Sequence, residues 1–128
     1  MFSKKSLEVF RNPKHIGFIK DADGVGRVGN PACGDIMWVY IKVKEEKGKE
    51  VISDVKAKTF GCVAAIATAD TISEIAIGKT VEQALKISND EVAKALDGLP
   101  PEKMHCSVLS QQGLKKAIED YRNKKGKA

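Results

Sequence analysis

"MWVYIKVKEEKGKEVISDVKAKTF", residues 37–60, decides the fold. Met37, Val39, Ile41 and Val43 alternate with Trp38, Tyr40, Lys42 and Lys44, the period of two of a half-buried strand. "EEKGKE" supplies a turn around Gly48, and "VISDVKAKTF" reads as a second strand with Val51, Val55 and Ala57 on one face. Two such runs joined by a short glycine-containing loop predict a β-hairpin.

Beyond the hairpin the period becomes helical. Ala65, Ile66, Ala69, Ile72 and Ala76 form a stripe at spacings of three and four, with Gly78 as the stop. "TVEQ" (Thr80 with Gln83) and "SNDE" (Ser88 with Glu91) match the capping box and predict two short helices, the second ended by Gly98. A last helix is expected from about Ser107, with Leu114, Ala117, Ile118 and Tyr121 on one face. On the other side of the hairpin, residues 17–30 are glycine-rich and read as a loop plus an irregular strand. "SKKSLEVFRNP" predicts a short helix capped by Ser3, with Pro13 beyond its end. Strands followed by helices imply an α+β fold: a small antiparallel β-sheet of about three strands with helices packed on one face.

The 128 residues, 42% hydrophobic and 30% charged, suit one domain spanning 1–128. No apolar run approaches the roughly 20 residues of a membrane helix. "MFSKKSLEVF" lacks the apolar stretch of a signal peptide, so a cytoplasmic, reducing location is expected and no membrane partner. Much of the net charge of +5 comes from the tail "KKAIEDYRNKKGKA". A basic tail suits nucleic acid, an acidic protein partner or simply a solvated helix end. With 5% aromatic residues and no stacking platform visible in the sequence, no nucleic-acid partner is expected.

Two motifs fail on context. "GVGRVG", Gly24–Gly29, has the dinucleotide-binding spacing, but Asn30, Pro31 and a strand follow where a helix is required. "IGKT", 77–80, lacks the earlier glycine of a phosphate-binding loop, since position 73 is Ser73.

The three cysteines, an odd number in a reducing compartment, are not a disulfide framework. Cys33 lies in "NPACGD", where extended backbone would point it the same way as Asp35. Cys62, in "TFGCVAA", and Cys106, in "PPEKMHCSVL", stand at helix starts, whose unpaired N–H groups favour thiolate. His105 adds a nitrogen beside Cys106. Placement at element ends favours one shared site over three core cysteines. Gaps of 29 and 44 residues, with no C-x-x-C, fit neither zinc-ribbon nor ferredoxin templates. Three thiolates with Asp35 or His105 suit a tetrahedral zinc ion or an iron–sulfur cluster, and an oxygen ligand suggests loose retention.

Together "EVFRNPKHIG", "NPACGD", "KTFGC", "GKTVEQAL" and "LPPEKMHCSVL" resemble, in order and over almost the whole chain, the IscU and NifU N-terminal family of iron–sulfur cluster assembly scaffolds. The resemblance implies the SufE/NifU-like fold and a stand-alone scaffold or carrier rather than an enzyme. It implies that sulfur arrives from a cysteine desulfurase, that a labile [2Fe–2S] cluster is built with iron and an electron donor such as ferredoxin, and that apo-proteins receive it. Cys33, Cys62 and Cys106 would be the cluster thiolates, Cys106 the persulfide acceptor, Asp35 the residue governing lability, and His105 an alternative fourth ligand. Lys103 would pair with Asp35 or a ligand in the cluster-free state, in which zinc can occupy the same residues. A homodimer remains open. Two residues depart from the family pattern. Glu102 stands where chaperone-using members carry valine, which leaves chaperone use open, and Phe2 stands near a family tyrosine. The alternative is a zinc-dependent sulfur acceptor of the SufU type, whose members carry an insertion before the last cysteine and arginine in place of His105. The uninterrupted run from Gly78 to Pro100 and the histidine argue against it.

Overall fold

The computed structural model describes residues 3–30, 35–59, 63–101 and 104–126, without the side chains of Asn30, Asp35, His105 and Lys125. The element order is α1 (Lys4–Arg11), β1 (Gly24–Asn30), β2 (Asp35–Glu46), β3 (Lys49–Thr59), α2 (Val63–Ala76), α3 (Val81–Leu85), α4 (Asn89–Ala95) and α5 (Met104–Gly126). The strands form one antiparallel sheet in the order β1-β2-β3. The expected α+β architecture is present, with α5 against β1 and β2 and with α2 between β3 and α5.

The β2–β3 hairpin turns through Lys47 and Gly48, both at positive φ (54° and 79°), as a tight two-residue connection requires. One side-chain expectation is corrected here. Lys42 faces Asp54 while Val43 faces Ile52, so Ser53 is an extra, unpaired residue. One added residue flips the alternation beyond it. Ile52, Val55 and Ala57 therefore enter the core, while Val51 is only half-buried and bridges Thr80 instead.

The glycines of β1 have a packing reason. A Cβ on Gly24 would lie 2.2 Å from the Ala117 carbonyl oxygen, and one on Gly26 would lie 2.3 Å from that of Gly113. Strand and helix thus meet backbone against backbone. Leu114, Ala117 and Ile118 of α5 are buried on Met37, Val39 and Ile41 of β2 and their neighbours, each large side chain worth about 1.5–3 kcal/mol of burial. Tyr121, half-buried, donates its hydroxyl to the Glu50 carboxylate.

The caps agree with the sequence. Ser3 accepts from Ser6 N–H, Thr80 and Gln83 close a full capping box, and Ser88 accepts from Glu91 N–H. α2 is buried on nearly every side rather than along one stripe, which its small residues permit, and Ile66 is only half-buried. Its Asp70, 3% exposed, accepts backbone N–H groups from Lys14 (2.8 Å) and His15 (2.6 Å). Those two bonds satisfy a buried carboxylate and fix the segment after α1. The same segment covers the outer edge of β3, where Ala57 N–H donates to the His15 carbonyl and Gly17 N–H to the Ala57 carbonyl, both at 2.8 Å.

Candidate functional site

Cys33, Cys62 and Lys103 lie outside the described residues, and Asp35 and His105 are placed by their backbones alone. The described residues nevertheless bound the site. Asp35, the first residue of β2, stands opposite Asn30, and Met37 pairs with Thr59 at the end of β3. The Thr59 hydroxyl donates to the Ile36 carbonyl at 2.9 Å and holds these two strand ends together. Four residues after Thr59 the chain re-enters regular structure as α2, at Val63. Ala64 and Ala65, in the first turn of α2, pack around Cys106 in the first turn of α5, with Leu99 alongside. The start of β2, the end of β3 and the starts of α2 and α5 therefore share one end of the domain.

Cys106 corrects two expectations. α5 begins at Met104, three residues before the expected start, so His105 and Cys106 belong to its first turn. Two prolines ahead of a helix start suggest an exposed loop approach, yet Cys106 is fully buried and Pro100 is buried too. Alanines at 64 and 65 have no bulk to hold the two helix starts apart. Thr68, which the sequence reading did not single out, helps to close them. Its buried hydroxyl lies 2.8 Å from the Ala64 carbonyl, 3.2 Å from that of Ala65 and 3.3 Å from that of Cys106. Threonine commonly bonds back to its own helix. The reach to Cys106 is additional and joins α2 to α5. Hydropathy could not flag it, because Thr68 sits inside the alanine-rich stripe.

Helix starts leave N–H groups without intrahelical partners, a setting that suits thiolates and anionic sulfur. Among the described residues no three His, Cys, Asp or Glu side chains gather as a metal site. Gly24–Gly29 is strand, so the dinucleotide motif is excluded by structure as well as by context. Lys124 lies 3.0 Å from Asp120 on the last turns of α5, consistent with a solvated helix end. No described helix is long and apolar enough to cross a membrane.

A three-stranded antiparallel sheet backed by helices, with a buried cysteine in the first turn of a helix at one end, defines a small α+β domain. The chain belongs to the NifU-like N terminal domain family, which matches residues 1–128. The iron-sulfur cluster assembly scaffold protein IscU 1 of Archaeoglobus fulgidus is 56% identical over 127 residues, 99% of this chain and 80% of that one. The IscU scaffold of Azotobacter vinelandii is 43% identical over 128 residues, 98% and 97% of the two chains. The fold matches the N-terminal NifU-like protein of Brucella abortus at a TM-score of 0.64 and 22% identity, covering 98% of this chain and 95% of that one. It also matches a protein of Fervidobacterium islandicum, described as a scaffold candidate for the SUF system, at a TM-score of 0.72 and 24% identity, covering 91% and 96%.

Proposed function

We propose that the chain is an iron–sulfur cluster assembly scaffold, a carrier that receives sulfur from a cysteine desulfurase, builds a labile [2Fe–2S] cluster and hands it to apo-proteins. The observation that carries this reading is the meeting of the α2 and α5 starts beside the β2 and β3 ends, which brings the segments flanking all three cysteines to one end of the domain. Cys33, Cys62 and Cys106 supply the thiolates, with Asp35 or His105 at the fourth position. In the cluster-free form zinc can take the same donors. Cys106 receives the sulfur. Its thiolate attacks the outer sulfur of the desulfurase persulfide, the S–S bond to the desulfurase cysteine breaks, and that cysteine leaves as thiolate. Two electrons from a separate donor then reduce the transferred sulfur to sulfide. Relatives at 56%, 44% and 43% identity carry the name IscU scaffold protein, which favours this reading over a zinc-dependent sulfur acceptor.

Anaerobic reconstitution with a desulfurase, cysteine and iron separates the two. The scaffold reading expects the visible absorbance of a [2Fe–2S] cluster, sharply reduced in Cys33→Ser, Cys62→Ser and Cys106→Ser. Normal absorbance in all three variants would refute the ligand assignment.

Asp35→Ala tests release. A carboxylate is a hard donor among soft ones, and its charge beside an anionic cluster disfavours retention even when it does not bind iron. The variant is expected to keep its cluster longer in air and to transfer it more slowly to an apo-ferredoxin. If Asp35 merely capped the turn after Cys33, alanine would weaken the site. Faster cluster loss with the circular dichroism spectrum unchanged is the outcome against release control.

A further inference from the structure

Helix α1 borders a cavity of about 650 Å³ rather than sealing against its neighbours. Two polar ties hold its ends. The Ser3 hydroxyl donates to the Leu96 carbonyl at the start, and Asp70 takes the Lys14 and His15 amides beyond the end. Between these ties only Ser6 of α1 is buried. Glu8 and Val9 of α1 therefore line the cavity together with Asp70, Glu74 and Ile75 of α2, and Ala95, the last residue of α4, completes the lining.

Asp70 is the one charged side chain of this lining that is buried, at 3% exposure. Both of its amide bonds fall on Oδ1. Oδ2 has no partner, yet it is not sealed off, because among the described residues the one buried side-chain polar atom without a partner is Nδ1 of His15. Since Asp70 lines the cavity, Oδ2 opens into it. A carboxylate oxygen held at such burial with no donor is a fixed negative site that favours an incoming charged donor. Glu8 and Glu74 are exposed at the rim, and the three carboxylates do not converge closely enough for a metal ion. Lys5 and Lys14 share the rim but are exposed, and their long stems let the ammonium groups stay in water. Val9, Ile75 and Ala95 add apolar surface beside the carboxylates. A buried carboxylate, aliphatic walls and further carboxylates at the rim match an ammonium carried on a hydrocarbon stem.

We propose that this cavity binds a linear aliphatic amine, whose ammonium donates to Asp70 Oδ2 while its methylenes lie on Val9, Ile75 and Ala95. In a diamine the second ammonium meets Glu8 or Glu74 at the rim. An anionic ligand fits less well, because its charge would face the fixed carboxylate and find only mobile lysines to pair with. The bound amine supplies a contact that α1 and α2 lack between their two polar ties. It thereby steadies the segment after α1 that covers the edge of β3. The site needs no metal and stands or falls independently of cluster assembly.

The test is titration of the isotope-labelled, metal-free protein with putrescine, followed by NMR. The amides of Lys14, His15 and Asp70 should shift together and saturate with a Kd of roughly a millimolar, the range open to so small a ligand. Asp70→Asn keeps an oxygen for the two amides but presents N–H groups to the ammonium, and it should weaken binding about tenfold or more as the charge-assisted bond is lost. Glu74→Lys, on the exposed side of α2, puts a cation at the rim without touching those amides, so it keeps the test open should Asp70→Asn fail to fold. It should weaken putrescine about fivefold or more through like-charge repulsion. Glu119→Lys, on the exposed side of α5, should stay within about twofold, as expected for a screened, distant charge. N-acetyl-lysine amide separates the sources of the ammonium. Tighter binding of putrescine assigns the site to a free diamine, and tighter binding of the lysine derivative assigns it to a lysine side chain; both support an ammonium site. Failure of the three amides to shift at ten times the expected Kd would overturn the proposal. So would unchanged putrescine affinity in the folded Asp70→Asn and Glu74→Lys variants, or equal shifts with potassium chloride at the same ionic strength.

Discussion

Gly26→Ala is expected to lower the melting temperature by roughly 10 °C, from a loss of about 3 kcal/mol or more. A Cβ at Gly26 would stand 2.3 Å from the Gly113 carbonyl oxygen and 2.5 Å from the Ala117 amide nitrogen. Both are backbone atoms of α5, so no rotamer change relieves the overlap. The strand must leave the helix or the helix must leave β2, and either movement opens the core around Met37 and Val39. Gly113→Ala is the informative comparison. Its Cβ would meet a Val39 methyl at 2.8 Å, a side-chain atom that can give way. It should cost less, on the order of 1–2 kcal/mol. Thermal unfolding followed by circular dichroism ranks the two. A Gly26→Ala protein melting within a degree or two of wild type would mean that β1 does not press on α5 as described.

This contact marks a limit of what the sequence discloses. Periodicity located the hairpin, α2 and the last helix, and side-chain chemistry located the caps at Ser3, Thr80 and Ser88, because these signals are local. Gly24 and Gly26 fall in a stretch that reads only as a loop plus an irregular strand, since what they accommodate is a helix about ninety residues further on. Ser53 reads as an ordinary strand residue, and only the pairing across the hairpin reveals it as a bulge. At the site, the helix-start character of Cys106 was legible from the prolines and the apolar pattern after it. Its burial was not, because that depends on Ala64 and Ala65 arriving from another helix. Asp70 stands in the sequence directly after the apolar run "GCVAAIATA", with no local signal of a role. Its purpose shows only when the Lys14 and His15 amides converge on it.

The burial of Cys106 sets up a kinetic expectation. In the metal-free protein, iodoacetamide should alkylate Cys106 about a hundredfold more slowly under native conditions than in concentrated guanidinium, the factor that a local opening costing about 3 kcal/mol produces. Two effects compete. A helix start favours the reactive thiolate, but full conversion from thiol to thiolate raises reactivity only about tenfold near neutral pH. Enclosure by Ala64, Ala65 and Leu99 acts on every encounter, so it dominates. A sulfur donor to Cys106, on the function proposed above, would meet the same obstacle, and its docking would have to include separation of the α2 and α5 starts. Thr68 supplies the second arm. Thr68→Val keeps shape but removes the hydroxyl that reaches the Cys106 carbonyl, and it should speed alkylation several-fold, in keeping with a net loss of about 1 kcal/mol. Thr68→Ser retains the hydroxyl and should return the rate toward wild type, a rescue that loss of packing alone does not predict. Mass spectrometry of the Cys106 peptide over time reads both arms. Alkylation as fast in the native protein as in denaturant would show that the thiol is already presented to solvent, and the separation step would then be unnecessary.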